Sequence, residues 1–354
     1  MSRESVSAFA PGRVNLIGEH TDYNQGLALP FAIAEGITVH AKASGEERIL
    51  ARALDCGEQD EFALAEPSGA PGWRAYVRGV VAELGRAGHP LVGAHLEISG
   101  NLQQGAGLSS SAALEVALCL ALLALAGEAG PDSVGLAQLC SRVESGWVGA
   151  HTGMLDQLAS LYGAPGMAML IDFQTFEVEP VPLRLEDGWR LVTLDSGERH
   201  TNASSAYNER RAECSEACEL LGIDSLSQAS WNALDGLPQR LRERARHVLS
   251  ENVRVKDTVA ALRANDLPAV GRLLNASHAS LRDQYEISTP AVEATVERLL
   301  HAGARGARIV GGGFGGHVLG LLAPSAYAPE GAREVHADVG AHLLKPTVPA
   351  GAPP

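Results

Sequence analysis

Residues 105–112 read Gly-Ala-Gly-Leu-Ser-Ser-Ser-Ala and run directly into an apolar stretch, Ala113 to Ala126. A glycine-rich loop feeding the first turn of a helix outlines an anion pocket. Gly105, Ala106, Gly107 and Leu108 offer backbone N–H groups, and Ser109, Ser110 and Ser111 add hydroxyl donors and a candidate metal ligand. The helix N-terminus contributes the positive end of a dipole. No lysine sits in the loop, so it is not the Walker loop, which ends Gly-Lys-Ser/Thr. Phosphates bound here would be held by backbone, serine and metal. The same run also reads as a plain capped helix start.

A second cluster lies near the N-terminus, where Arg13, Glu19, His20 and Asp22 fall within ten residues around Gly12, Gly18 and the apolar run Val14 to Ile17. Charged and imidazole groups gathered at a turn suit a small polyhydroxylated molecule: carboxylates accept from its hydroxyls and arginine donates to them or to a phosphate. A third cluster, Gly311 to Gly316, matches G-x-G-x-x-G. The dinucleotide fingerprint should open a helix within a strand–helix–strand unit, whereas here a second strand-like run follows, so that reading fails on context. Asp156 stands where a turn starts a helix, and the macrodipole there favours an ionised carboxylate. Read alone, it is an ordinary helix-start acid, Glu144 a solvated helix charge and Tyr207 an amphipathic helix position.

The elements that must carry these groups form a mixed pattern. Ile37–Val39, Ala94–Ile98 and Met167–Ile171 read as strands and 75–87 and 112–126 as helices. Glu177 to Trp189 is rich in proline, acids and turn residues, placing a boundary near 178–190 and dividing the chain into residues 1–180 and 181–354. Beyond Asp195 the periodicity predicts helices around 203–221, 238–264, 268–282 and 290–303, then strands Ala307–Val310 and Val318–Leu322 flanking the glycine loop. A length of 354 residues fits two domains. The net charge of −14 argues against nucleic acid and anionic membranes as partners. Five scattered cysteines fit reduced thiols in the cytoplasm. Cys214 and Cys218 could share a helix face, but no second ligand pair supports zinc. The apolar run Ala112–Ala126 contains Glu115 and is too short to span a bilayer, and no charged-then-apolar leader precedes Phe9. A monomer is expected.

Together the three clusters resemble the ordered motifs of the small-molecule kinases that include galactokinase, homoserine kinase, mevalonate kinase and phosphomevalonate kinase. Gly12-Arg13-Val14-Asn15-Leu16-Ile17-Gly18-Glu19-His20-Thr21-Asp22-Tyr23 looks like the galactokinase signature. The resemblance continues through Trp73–Val80, Met154–Gln157 and Ser280–Glu286. It implies a two-domain α+β fold, with a mixed α/β N-terminal domain and a helix-rich, ferredoxin-like C-terminal domain whose 311–316 loop shapes the active site. It also implies transfer of the ATP γ-phosphoryl group to the anomeric hydroxyl of α-D-galactose. By that resemblance Asp156 is the catalytic aspartate, Arg13 accompanies it, and Ser111 with Glu144 holds Mg²⁺. Glu19, His20, Asp22, Gly153, Asp156 and Tyr207, with Arg13, contact the sugar. The loop from Gly105 to Ser111 holds the nucleotide, and Trp73 and Tyr76 fall near the adenine, where a core aromatic pair is the competing reading. A kinase for N-acetylgalactosamine or another sugar of the same superfamily, and a non-catalytic galactose sensor, are alternatives; such sensors have damaged phosphate loops, and Ser109-Ser110-Ser111-Ala112 is intact. Val310 and His317 depart from the family pattern of a small residue and a cysteine, and His317 reads as structural.

Overall fold

The computed structural model describes residues 4–65, 67–102, 107–198 and 203–345. The first half comprises β1 (Ser5–Asn15), β2 (Leu27–Ala28), β3 (Pro30–Ala43), β4 (Arg48–Ala53), β5 (Glu58–Ala63), α1 (Trp73–Arg86), β6 (Ala94–Gly100), α2 (Ser110–Ala126), α3 (Ser133–Val143), a π-helical turn (Glu144–Val148), α4 (Leu155–Tyr162), β7 (Met167–Asp172) and β8 (Val178–Pro182). The second comprises β9 (Arg190–Asp195), α5 (Ala203–Leu221), α6 (Gln239–Arg263), α7 (Leu267–Asp283), α8 (Pro290–His301), β10 (Ala304–Ile309), β11 (His317–Leu322), β12 (Arg333–Glu334) and β13 (His342–Leu343).

A six-stranded sheet in the order β13-β1-β3-β6-β4-β5 is antiparallel except where β4 meets β6. Helix α2 lies across β1 and β3, with α1, α3 and α4 around it. Its sequence requires such a place: Ala, Leu and Val on every side give a helix with no polar face, which has to be enclosed. Its end is set by Gly127, whose left-handed φ of 82° supplies the C-cap. The second half builds helices over a four-stranded antiparallel sheet, β10-β11-β9-β12, around a core that includes Val192, Leu194, Tyr285, Ile309 and Val318. Thr289 caps α8 by accepting from the Val292 N–H, and Pro290 occupies its first turn. The chain then returns, because β13 pairs with β1 through Ala8–Leu343 and Phe9–His342.

Helices α1, α2 and α5 to α8 fall where the sequence placed them, α3 was not read from it, and Gly311–Gly316 joins antiparallel β10 to β11 rather than opening a helix. The strands differ. Ile37–Val39 is only the middle of the fourteen-residue β3, whose polar residues His40 and Lys42 interrupt the apolar run although β1 and β6 pair them on both sides. No helix among the described residues is long and apolar enough to cross a membrane.

Candidate functional site

The first motif begins as strand, not as a free turn. Register slips between Pro11 and Arg13 in the β1–β3 pair, and a bulge of this kind re-aims the side chains beyond it. A Cβ on Gly12 would lie 2.5 Å from the Leu108 carbonyl oxygen, so only glycine lets the serine loop rest on β1. The Arg13 N–H donates to that carbonyl at 3.2 Å. One Arg13 guanidinium nitrogen donates to the Gly107 carbonyl at 2.5 Å, and the other meets Asp156 Oδ1 at 2.6 Å. Asp156 occupies the first turn of α4, as its sequence context predicts.

Beyond β1, elements of the second half hold the motif. Glu19 Oε1 accepts from the Gly311 N–H at 2.7 Å and lies 3.2 Å from Arg308 Nη2. Arg308 is fully buried on β10 and also donates to the carbonyls of Asn15 and Leu16, at 2.8 and 3.1 Å. A buried guanidinium without such partners would be strongly destabilising. The Gly18 N–H donates to Glu251 Oε1 at 3.0 Å, and His247 Nε2 lies 3.1 Å from the Glu19 carbonyl. A cavity of about 150 Å³ results, lined by Arg13, Glu19, His20, Asp22, Gly153, Asp156 and Tyr207, together with Thr152, Leu155, Gly311 and Gly312. Every residue that the resemblance assigns to the sugar lines this one space. Gly153 is required there, since a Cβ would fall 1.8 Å from Asp22 Oδ2.

Burial and crowded negative charge shape the electrostatics. Asp22 is pushed up to about 6 by burial, with Asp156 and Glu19 adding repulsion. His20 is lowered to about 3 by burial, with His247 and nearby arginines opposing its charge, so it is neutral at pH 7. Glu144, at the start of the π-helical turn, is pushed up to about 7 by burial and the Asp156 charge. It accepts from Ser111 Oγ at 3.1 Å and from the Thr152 hydroxyl. A carboxylate and a hydroxyl are hard oxygen donors suited to Mg²⁺, and a buried carboxylate crowded by negative charge is one that a cation would relieve. The two residues therefore fit such an ion.

The serine loop leads to a second, wider cavity of about 600 Å³, lined by Trp73, Tyr76, Leu102, Ser110, Ser111 and Leu114 among others. Trp73 is tethered by its Nε1–H to Glu58 Oε2 at 2.9 Å. Burial pushes the Tyr76 phenol up, helped by the charges of Glu144 and Glu115. Ser109, the N-cap of α2, has a left-handed φ of 63°, and its buried hydroxyl has no partner among the described residues. Strain and an orphaned donor at a helix N-terminus are the marks of a ligand position. Gly105 and Ala106 lie outside the described residues. His317 opens β11 and its carbonyl accepts from the Val310 N–H at 3.0 Å.

Sequence reasoning missed Thr152, Arg211 and Arg308. Arg211 Nη1 donates to the carbonyls of His151 and Thr152 at 2.8 and 3.1 Å, fixing the strand of backbone before Gly153. A charged residue inside the apolar run Ala307–Val310 was the available signal for Arg308; Thr152 and Arg211 carry none.

Residues 1–43 match the galactokinase galactose-binding signature, 75–164 the GHMP kinases N terminal domain and 258–341 the GHMP kinases C terminal model. The chain is 44% identical to a galactokinase of Mycobacterium tuberculosis over 326 residues, 90% of this chain and 89% of that one. It is 40% identical to a galactokinase of Thermotoga petrophila over 319 residues, again 90% and 89%. It superposes on the crystal structure of Lactococcus lactis galactokinase complexed with galactose with a TM-score of 0.90 and 32% identity, covering 97% of this chain and 96% of the other.

Proposed function

The chain belongs to the galactokinase family of the GHMP kinases, an ATP-dependent sugar kinase, and on that premise we propose that its narrow cavity takes α-D-galactose and its wide one the adenine end of ATP. The observation that carries this reading is the Arg13–Asp156 pair, 2.6 Å apart, in a polar cavity that also holds Glu19, His20 and Asp22. Two fixed carboxylates and an imidazole satisfy several hydroxyls at once.

In the reaction, Asp156 accepts the proton of the anomeric hydroxyl as that oxygen attacks the γ-phosphorus and ADP departs; Arg13 offsets the negative charge that develops. Asp156 has its partner Arg13 and its position in the first turn of α4 to hold it in place. The N-terminus of α2 and the hydroxyls of Ser109, Ser110 and Ser111 receive the triphosphate. Glu144 and Ser111 would hold Mg²⁺, which when bound supplies positive charge to the phosphate oxygens. Its five free cysteines suit a reducing cytosol.

A coupled ADP-release assay with galactose, N-acetylgalactosamine, glucose, arabinose and mevalonate tests the assignment. Galactose should be preferred over glucose by orders of magnitude in kcat/KM, because a site built for particular hydroxyls leaves buried groups unpaired with the wrong sugar. Equal turnover of glucose, or preference for any other member of the panel, would overturn it.

A further inference from the structure

Behind the sugar cavity runs a chain of side chains that the phosphoryl transfer does not use. His20 Nδ1 lies 2.7 Å from the Tyr23 hydroxyl, the Tyr23 hydroxyl 2.9 Å from that of Tyr285, and the Tyr285 hydroxyl 3.0 Å from Cys214 Sγ. Asn24 Nδ2 closes the far end by donating to Cys214 Sγ at 3.6 Å. Tyr285 is itself fixed: its ring is fully buried, and its carbonyl accepts from Arg210 Nε at 2.8 Å. At the near end, the His20 ring sits between Tyr207 and Tyr285, with centroids 5.1 and 4.7 Å away. Its second nitrogen, Nε2, is buried at the cavity with no well-formed hydrogen bond among the described residues, and the ring also faces the Gly312 backbone there.

A chain of hydroxyls between an imidazole and a thiol can point its protons either way. Toward the thiol, the last O–H would end on sulfur, a weak acceptor, and the S–H would be left over. Toward the histidine, Cys214 S–H donates to Tyr285, Tyr285 to Tyr23, and Tyr23 to the imidazole nitrogen, the best acceptor in the chain. Only the second direction uses every donor within the relay and leaves the remaining ring N–H to the cavity, and chains so aligned reinforce one another. The cavity agrees with it. Glu19, Asp22 and Asp156 already supply acceptors there, so a ring N–H facing them is attracted and a ring lone pair is not.

We propose that Tyr23 and Tyr285 are positioning residues that lock His20 as its Nε2–H tautomer, so that it presents a hydrogen-bond donor to one oxygen of the sugar while the neighbouring carboxylates accept the hydroxyl proton. Burial holds His20 neutral, which leaves a single ring proton whose place the relay decides. The consequence for specificity rests on His20 being a sugar contact, as read above; the tautomer itself does not.

Nitrogen-15 NMR of histidine-labelled, sugar-free enzyme tests the lock, with the His20 signals identified by their loss in His20→Asn. The expected spectrum has a protonated Nε2 and a bare Nδ1, with no exchange between tautomers. A protonated Nδ1 in the wild-type protein would overturn the proposal, with no variant needed. Tyr23→Phe keeps the ring and removes the relay; it should give mixed tautomers and raise the galactose KM about 3- to 10-fold, the worth of one hydrogen bond, at unchanged KM for ATP. Tyr285→Phe should do the same to a smaller extent. Mixed tautomers with an unchanged galactose KM would overturn the role in specificity and count against His20 as a sugar contact, leaving the ADP-release test of the activity unaffected.

Discussion

The two cavities on either side of the serine loop are built on opposite principles. The narrow one, about 150 Å³, is lined by charged groups that are already tied to the protein: Arg13 to Asp156 and to Gly107, Glu19 to Gly311 and Arg308. The wide one, about 600 Å³, is lined largely by Trp73, Tyr76 and aliphatic side chains; of its charges, Arg74 pairs with Glu58 at 2.9 Å and Asp55 accepts from the Gly100 N–H. The contrast follows from the ligands proposed for them. A polyol offers little but hydroxyl direction, so its site must fix donors and acceptors beforehand. A planar base offers a face, which flat or apolar walls can receive with loose geometry. Apart from Asp156, which takes the proton, substitutions in the narrow cavity should therefore act through position, and those at the loop through the cation they would hold.

The largest effect is expected at Asp156. Asp156→Asn keeps the size of the side chain and removes the proton acceptor, so turnover should fall about 10²- to 10⁴-fold while galactose still binds. Single-turnover kinetics and calorimetric galactose binding check this, and turnover within a few-fold of wild type would remove Asp156 from the chemistry. On the other side of the loop, Glu144→Gln and Ser111→Ala should each raise the Mg²⁺ needed for half-maximal activity by about 10- to 100-fold, the range for groups that set a metal's surroundings. Because the two side chains lie 3.1 Å apart, the double variant should cost less than the sum of the single ones. Additive losses in a magnesium titration would separate them into different sites.

Gly153→Ala comes next and sharpens the contrast, since it alters no charge. The added methyl carbon would overlap Asp22 Oδ2 and displace the carboxylate from the cavity. Overpacking costs about 1–3 kcal/mol, so the galactose KM should rise roughly tenfold or more while the KM for ATP stays within twofold. Equal changes in both constants would show that the two cavities are not independent.

What the sequence made legible follows the same division. The serine loop, the Arg13–Asp22 segment and the glycine loop could be read because each concentrates unusual residues over a short stretch, and the structure brings Asp156 and Tyr207 to them from α4 and α5. Most helices were legible because their apolar residues recur with helical spacing, and α2 because its apolar run is continuous. The extent of β3 was not, because a strand paired on both sides within a mixed sheet carries polar residues at His40 and Lys42 without losing their partners, and at Glu35 it passes the bulge opposite β1. Nor were the residues that hold the site from behind. Arg308, Arg211 and Glu251 act through contacts with backbone from distant parts of the chain; the charge inside an apolar run marked Arg308 as unusual, but nothing local says what any of the three will meet.

The smallest effect is a dependence on pH at Asp22, and it separates the cavities without changing either. Its carboxyl is raised from the ordinary value near 3.8 to about 6 by burial and by the charges of Asp156 and Glu19, with Arg211 opposing. A carboxyl whose pKa is higher in the folded chain takes up its proton more readily there than in the unfolded one. Between about pH 4 and pH 6 the folded state then holds more protons at this residue, so its contribution to stability grows as the pH falls through 6 and is lost as the pH rises. The buried histidines His20 and His247, lowered to about 3 and about 4, work in the opposite sense over the same interval, so the wild-type curve alone does not isolate Asp22. Comparison with Asp22→Asn does: the change in Tm between pH 7.5 and pH 5 should be less favourable in the variant by a few degrees, at about 2–4 °C per kcal/mol for a large domain. Galactose binding moves the other way. The ionised carboxylate is the better acceptor for a sugar hydroxyl, so wild-type galactose affinity should weaken below about pH 6 even as the empty protein grows more resistant to heat through this group. Calorimetric Kd for galactose against pH, set beside the paired melting curves, reads both halves; an affinity flat from pH 5 to pH 8 would mean that Asp22 is ionised throughout or does not touch the sugar.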